Sequence, residues 1–229
     1  GHPLHKLVFI ADLGLTVEDE PVGVIAGRIL QNAAENGPLQ VLMNIPTHFG
    51  GSGKDAWAWA LCDSPALLYA LLKFGCGEDE RIQKALAHLA GLARANGWPC
   101  AGNIGKFRGP GRKEDACPYA NLIMLKALAL SPDWRNSPQA LAGAEAALQL
   151  WQTRRQQHPY MFYMGTDFEK LKAPMVWYDL LHVCEVLTSF PHLRGDTRLA
   201  EMLALLRSKA DVEGRYTPES AWQAWKDWE

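Results

Sequence analysis

Apolar residues recur three and four places apart through most of the chain, and nowhere do apolar and polar residues alternate over the length of a strand. That spacing is the period of an amphipathic helix, so the pattern predicts an all-α protein. A longer repeat lies on top of it. Val22, Ile25, Ala26 and Ile29 stand 15, 12, 11 and 8 places ahead of Gly37. Ile82, Ala85, Leu86 and Leu89 keep the same distances from Gly97, and Leu199, Met202, Leu203 and Leu206 keep them from Gly214. Each set is one buried helix face followed by a left-handed stop, a conformation glycine takes without steric penalty. The spacing of the three glycines places a fourth unit near residue 156, where Leu141, Ala144, Glu145 and Leu148 hold the matching places and Gln156 replaces the glycine.

Between these helices lie more uniformly apolar ones, predicted over 5–13, 66–74, 120–130 and 178–187. Acidic turns such as 77–80 and 195–197 join them to the amphipathic helix that follows, with Asp79 and Asp196 placed as caps. The pattern predicts one domain of four helical pairs, about 59 residues each, with units over 5–37, 62–97, 117–156 and 177–214 and a tail over 215–229. One apolar and one amphipathic helix per pair imply two layers with the apolar helices inside, as a closed α/α toroid or an open solenoid. Parallel inner helices would gather their N-termini, with their positive dipole ends, at one rim.

Composition narrows the class. The 229 residues carry a net charge of −2 and are 48% hydrophobic, which excludes disorder and gives no broad basic field for nucleic acid. No apolar run is long enough to span a membrane, the start lacks a signal peptide, and the five cysteines form no paired spacing. The expectation is a cytoplasmic protein with reduced thiols. Nine tryptophans outnumber both Phe and Tyr. The chain starts without Met and stops inside the aromatic stretch 222–229, so both ends read as cut from a longer sequence, and self-association would cap an incomplete array.

The units 79–98 and 196–216 resemble the repeat shared by squalene and other terpene cyclases and the β-subunits of protein prenyltransferases. The resemblance covers most of the chain and implies an α/α toroid whose central hydrophobic cavity takes an apolar, isoprenoid ligand. The Asp-rich motif of the protonating cyclases has no counterpart: Cys117-Pro118-Tyr119-Ala120 stands in its place, without an acid. The zinc prenyltransferases carry Asp-x-Cys there, matched by Asp115-Ala116-Cys117, and their histidine ligand falls at Asp179, with His182 almost one turn later. The resemblance thus implies a catalytic set of Asp115, Cys117 and Asp179, and a zinc site of these three with His182. The plainer reading makes Cys117 a packing residue and Asp115 a helix cap.

Other residues read as binding groups. Cys62-Asp63 precedes one inner helix as Asp115-x-Cys117 precedes the next, so Cys62, Asp63, Asp115, Cys117 and Asp179 are placed on one rim, with Cys100 near it. Lys106, Arg108, Arg112 and Lys113, among glycine and proline, form a basic loop suited either to a diphosphate or simply to solvent. Trp59, Trp98, Trp177 and Tyr178, with Trp57 and the aromatics of 160–164, flank inner-helix starts, where they would shield a cation or pack the core. The glycines of 50–53 before Lys54 fail the phosphate-loop spacing, because His48 stands where the first glycine belongs.

The reading is a toroid binding an apolar, isoprenoid (diphosphate) ligand, with zinc as the implied cofactor. Two alternatives stand beside it: a carbohydrate-active helical barrel using Asp63 and Asp179, and a non-catalytic helical-repeat or lipid-binding scaffold.

Overall fold

The computed structural model describes residues 3–105, 112, 114–157 and 166–221. The chain is predominantly helical. In order along it come α1 (Pro3–Asp12), α2 (Glu20–Gln31), β1 (Val41–Asn44), β2 (Asp55–Ala58), α3 (Ser64–Lys73), α4 (Glu80–Gly91), α5 (Pro118–Leu128), α6 (Pro132–Arg135), α7 (Pro138–Thr153), α8 (Thr166–Glu169), β3 (Lys172–Ala173), α9 (Leu180–Thr188), α10 (Thr197–Arg207) and β4 (Ser220–Ala221). No helix among them is long and apolar enough to cross a membrane.

The two predicted kinds of helix differ in burial. In α3 every residue from Ser64 to Leu71 is buried, and in α5 all but Tyr119 are. Among the amphipathic helices, α2 and α10 bury one face only, Val22, Ala26 and Leu30 in α2 and Leu199 and Met202 in α10. The apolar helices lie side by side: α1 packs on α3, α3 on α5, and α5 on α9. Outside them, α4 covers α3 and α5, α7 covers α5, and α10 bridges α7 and α9. The α5–α7 contact is close because α7 presents Ala140, Gly143, Ala144 and Ala147. The predicted caps form: Asp79 accepts from the Arg81 amide, and Asp196 from the amides of Arg198 and Leu199. Arg198 then holds Asp196 at 2.8 Å and Glu145 of α7 at 2.7 Å, tying α10 to α7.

The repeated glycines are left-handed as predicted, with φ of 113° at Gly37, 91° at Gly97 and 77° at Gly214, but they do not cap the helices. Those helices end six or seven residues earlier, at Gln31, Gly91 and Arg207. The glycine instead closes a reverse turn, donating its amide to the carbonyl three residues back: Ala34 at 2.8 Å, Arg94 at 3.0 Å and Asp211 at 3.0 Å. At Gly97 the site also excludes a side chain, since a Cβ there would lie 2.2 Å from Asn121 Oδ1.

Two small sheets were not foreseen. β1 and β2 pair antiparallel, Leu42 opposite Trp57, and enclose the 45–54 segment, while β3 and β4 pair in parallel over two residues. β1 alternates between half-buried and exposed over only four residues and β2 is exposed at three of four places, too short a run to read as a strand period.

Candidate functional site

The expected rim forms in part. Asp63, Cys117 and Asp179 precede α3, α5 and α9 as N-cap residues. The segment 98–102 is clamped between α3 and α5 by two backbone bonds, Cys117 amide to Trp98 carbonyl and Leu61 amide to Ala101 carbonyl, both 2.8 Å. This brings Cys100 beside Cys117, the two thiols hydrogen-bonded to one another, with Cys62 in electrostatic reach of both. Cys62 donates to Asp63 Oδ2 at 3.4 Å. The Cys117 thiol is pushed far up by its bond to Cys100 and by burial, and the Cys62 thiol by burial first and then by Asp63. Both are held protonated.

Among the described residues no three His, Cys, Asp or Glu side chains stand placed to share a metal ion. Asp115 accepts from the Arg112 amide at 3.3 Å and lines an outer groove of about 360 Å³ with Asn96, Glu114, Glu145 and Gln149. Asp179, fully buried, spends its carboxylate on amides, taking those of His182 at 2.8 Å and Lys172 at 2.9 Å. Burial raises it to about 6 against the pull of those amides. It therefore staples β3 to the start of α9. His182 has both ring nitrogens engaged, Nδ1 with the Trp177 carbonyl at 2.7 Å and Nε2 with Lys126 Nζ at 3.2 Å.

The aromatics mostly pack. Trp98 is fully buried, its indole donating to the Leu89 carbonyl at 2.8 Å. Asn121 grips it from α5, accepting from the Trp98 amide at 3.0 Å and donating to the carbonyls of Trp98 at 2.9 Å and Cys117 at 2.7 Å. Tyr178 lies on Phe168, and Trp59 meets His88 edge-on. Trp177 is half-buried with its ring 5.8 Å from His5, and Trp57 is 53% exposed on the hairpin. Arg112 is exposed, while Lys106, Arg108, Lys113 and the 160–164 aromatics lie outside the described residues. Between the inner helices, the space bordered by Val8, Tyr119, Ile123 and Val176 amounts to about 10 Å³, room for roughly one water.

The polar convergence lies instead towards the C-terminal ends of the inner helices. Lys126 of α5 is 5% exposed, in a helix that is otherwise apolar but for Asn121. Its Nζ lies 3.5 Å from Asp12 of α1, 3.5 Å from Glu185 of α9 and 3.2 Å from His182 Nε2, and 4.9 Å from the centre of the Tyr69 ring of α3. The Tyr69 hydroxyl donates to Asp12. Since the Trp177 carbonyl can only accept, His182 carries its proton on Nδ1 and turns the Nε2 lone pair to the ammonium. Burial, then Lys126, lowers His182 to about 3. Partial burial raises the Glu185 carboxyl against the pull of Lys126. Burial and the bond to Asp12 hold the Tyr69 hydroxyl far above the ordinary tyrosine value. Beside this cluster opens a pocket of about 340 Å³ lined by Tyr69, Lys73, Lys126, Arg135, Glu185 and Ser189, three cations against one carboxylate. Such a set can hold an anion and pass a proton between tyrosine, carboxylate and ammonium. The signal for it was present in the sequence, Lys126 and Glu185 each the single charge of an apolar helix, yet it points to no chemistry until four helices are placed together.

No protein-family model, no curated protein and no solved structure matches the chain.

Proposed function

We propose that this chain is an α/α toroid similar to the terpene cyclases and prenyltransferase β-subunits, and that it binds a small anion with a short apolar body in the Lys126 pocket. The observation that carries the reading is the meeting of Asp12, Tyr69, Lys126 and Glu185, from four different inner helices, beside one pocket that the last three of them line. Side chains of like volume but no charge would pack a core at least as stably, so a buried ammonium held this way points to use. Lys73 and Arg135 add charge at the pocket mouth, and Ala129, Leu130 and Val186 supply an apolar wall. A five-carbon prenyl diphosphate is the isoprenoid that suits a pocket of this size.

Isothermal titration calorimetry with dimethylallyl diphosphate and with inorganic pyrophosphate tests this. Binding is expected, with affinity lowered about tenfold in Lys73→Met and Arg135→Met and abolished in Lys126→Met. Absence of heat and of any thermal shift at millimolar ligand would overturn it. The same cluster would then be a lock between helices in a scaffold, and Lys126→Met, which strands Asp12 and Glu185 without their shared cation, would lower stability.

A further inference from the structure

We propose that Cys100 and Cys117 form a reversible disulfide, made by a two-electron oxidant of the hydroperoxide class and opened by a dithiol. Three observations place the pair. The thiols are already hydrogen-bonded to each other. The stretch carrying Cys100 is fixed on both sides, before it by the 2.8 Å bond from the Cys117 amide to the Trp98 carbonyl and after it by the bond from the Leu61 amide to the Ala101 carbonyl. The Asn121 side chain binds both Trp98 and the Cys117 carbonyl, so neither side of the pair drifts from the other. Moving the sulfurs from hydrogen-bonding separation to the roughly 2.05 Å of a covalent bond therefore asks for side-chain rotation and little backbone movement. The lack of any three-ligand cluster among the described residues sets this pair apart from a metal site.

Exposure sets the order of events. Cys117 is 5% exposed, whereas Cys100 is half-buried and meets the oxidant first. Its sulfur attacks the peroxide: an S–O bond forms, the O–O bond breaks, and the leaving hydroxide takes the thiol proton as one water, giving a sulfenic acid. Cys117 Sγ then attacks that sulfur, the S–S bond forms, the S–O bond breaks, and the oxygen leaves with two protons as a second water. Two thiols thus lose two electrons and two protons to one peroxide. The raised position of the Cys117 thiol makes the second step slow, so the disulfide accumulates over minutes to hours rather than seconds.

The test is oxidation of the whole chain with hydrogen peroxide, blocking of remaining thiols with N-ethylmaleimide, and peptide mapping by mass spectrometry without reductant. The expected product joins the Cys100 and Cys117 peptides, is reversed by dithiothreitol, persists in Cys62→Ser, and is absent from both Cys100→Ser and Cys117→Ser. Cys100→Ser changes a half-buried position and is expected to leave the far-ultraviolet circular dichroism unchanged, which separates loss of the cross-link from loss of the fold. A Cys62–Cys100 product, sulfinic acid at Cys100 with no cross-link, or complete alkylation of both thiols would each overturn the proposal.

Discussion

His182 and Asp179 show how a buried group reads pH. His182 stands near 3 in the folded chain and near 6.5 once unfolded, so the unfolded chain takes up a proton that the folded chain refuses. The stability it supports is complete above pH 6.5 and is lost as pH falls from there towards 3. Between pH 7 and 5 the wild type is expected to lose about 2 kcal/mol relative to His182→Gln, read from urea unfolding of both at each pH. Asp179, raised to about 6, works in the opposite direction over the same interval, gaining stability as pH falls, which flattens the wild-type curve. Asn121 carries no charge but joins Trp98 to Cys117 through three hydrogen bonds in a fully buried setting. Asn121→Ala is expected to cost about 3 kcal/mol in chemical denaturation, because the orphaned backbone groups stay buried. Neither residue declared its role in sequence: Asn121 is one polar letter in an apolar run, and the Asp179 and His182 spacing equally suits metal ligation.

At the scale of elements, helix existence was legible and helix purpose was not. The 3.6-residue period located the four apolar helices within about two residues, while three of the four amphipathic ones end six or seven residues before the glycines taken as their stops. The glycines were correctly placed in left-handed geometry, but a periodic pattern cannot separate a helix stop from a reverse turn several residues later. In α7 the close approach to α5 gives a prediction that opposes helix propensity. A Cβ on Gly143 would meet Trp98 Cζ3 at 2.4 Å. Alanine gains at most about 1 kcal/mol as a better helix former, while overpacking against a clamped indole costs about 1–3 kcal/mol. Gly143→Ala is therefore expected to lower the melting temperature, whereas Gly91→Ala, with nothing within 4 Å of its new methyl, is expected not to.

Across the whole molecule, the Lys126 cluster links the first inner helix to the last. Asp12 lies at the end of α1 and Glu185 in α9, 173 residues apart, and both reach one ammonium. Asp12→Asn is expected to speed hydrogen exchange in α1 at least several-fold while α5 stays protected, measured by mass spectrometry on peptic fragments. Equal protection of α1 in the variant would show that apolar packing alone holds it. What sequence could not supply at this scale was convergence. Lys126 and Glu185 are single charges in apolar helices, and only assembly shows that they meet, whereas Asp115 and Cys117, two places apart in sequence, turn to different surroundings.

Lys73 and Lys126 sit at the same place in their helices, each nine residues beyond the Ser64-Pro65 or Cys117-Pro118 pair that opens the helix. Both lysines line the pocket that Glu185 shares from α9, so α3 and α5 carry charge of one sign at this end while α1 and α9 carry the acids that oppose it.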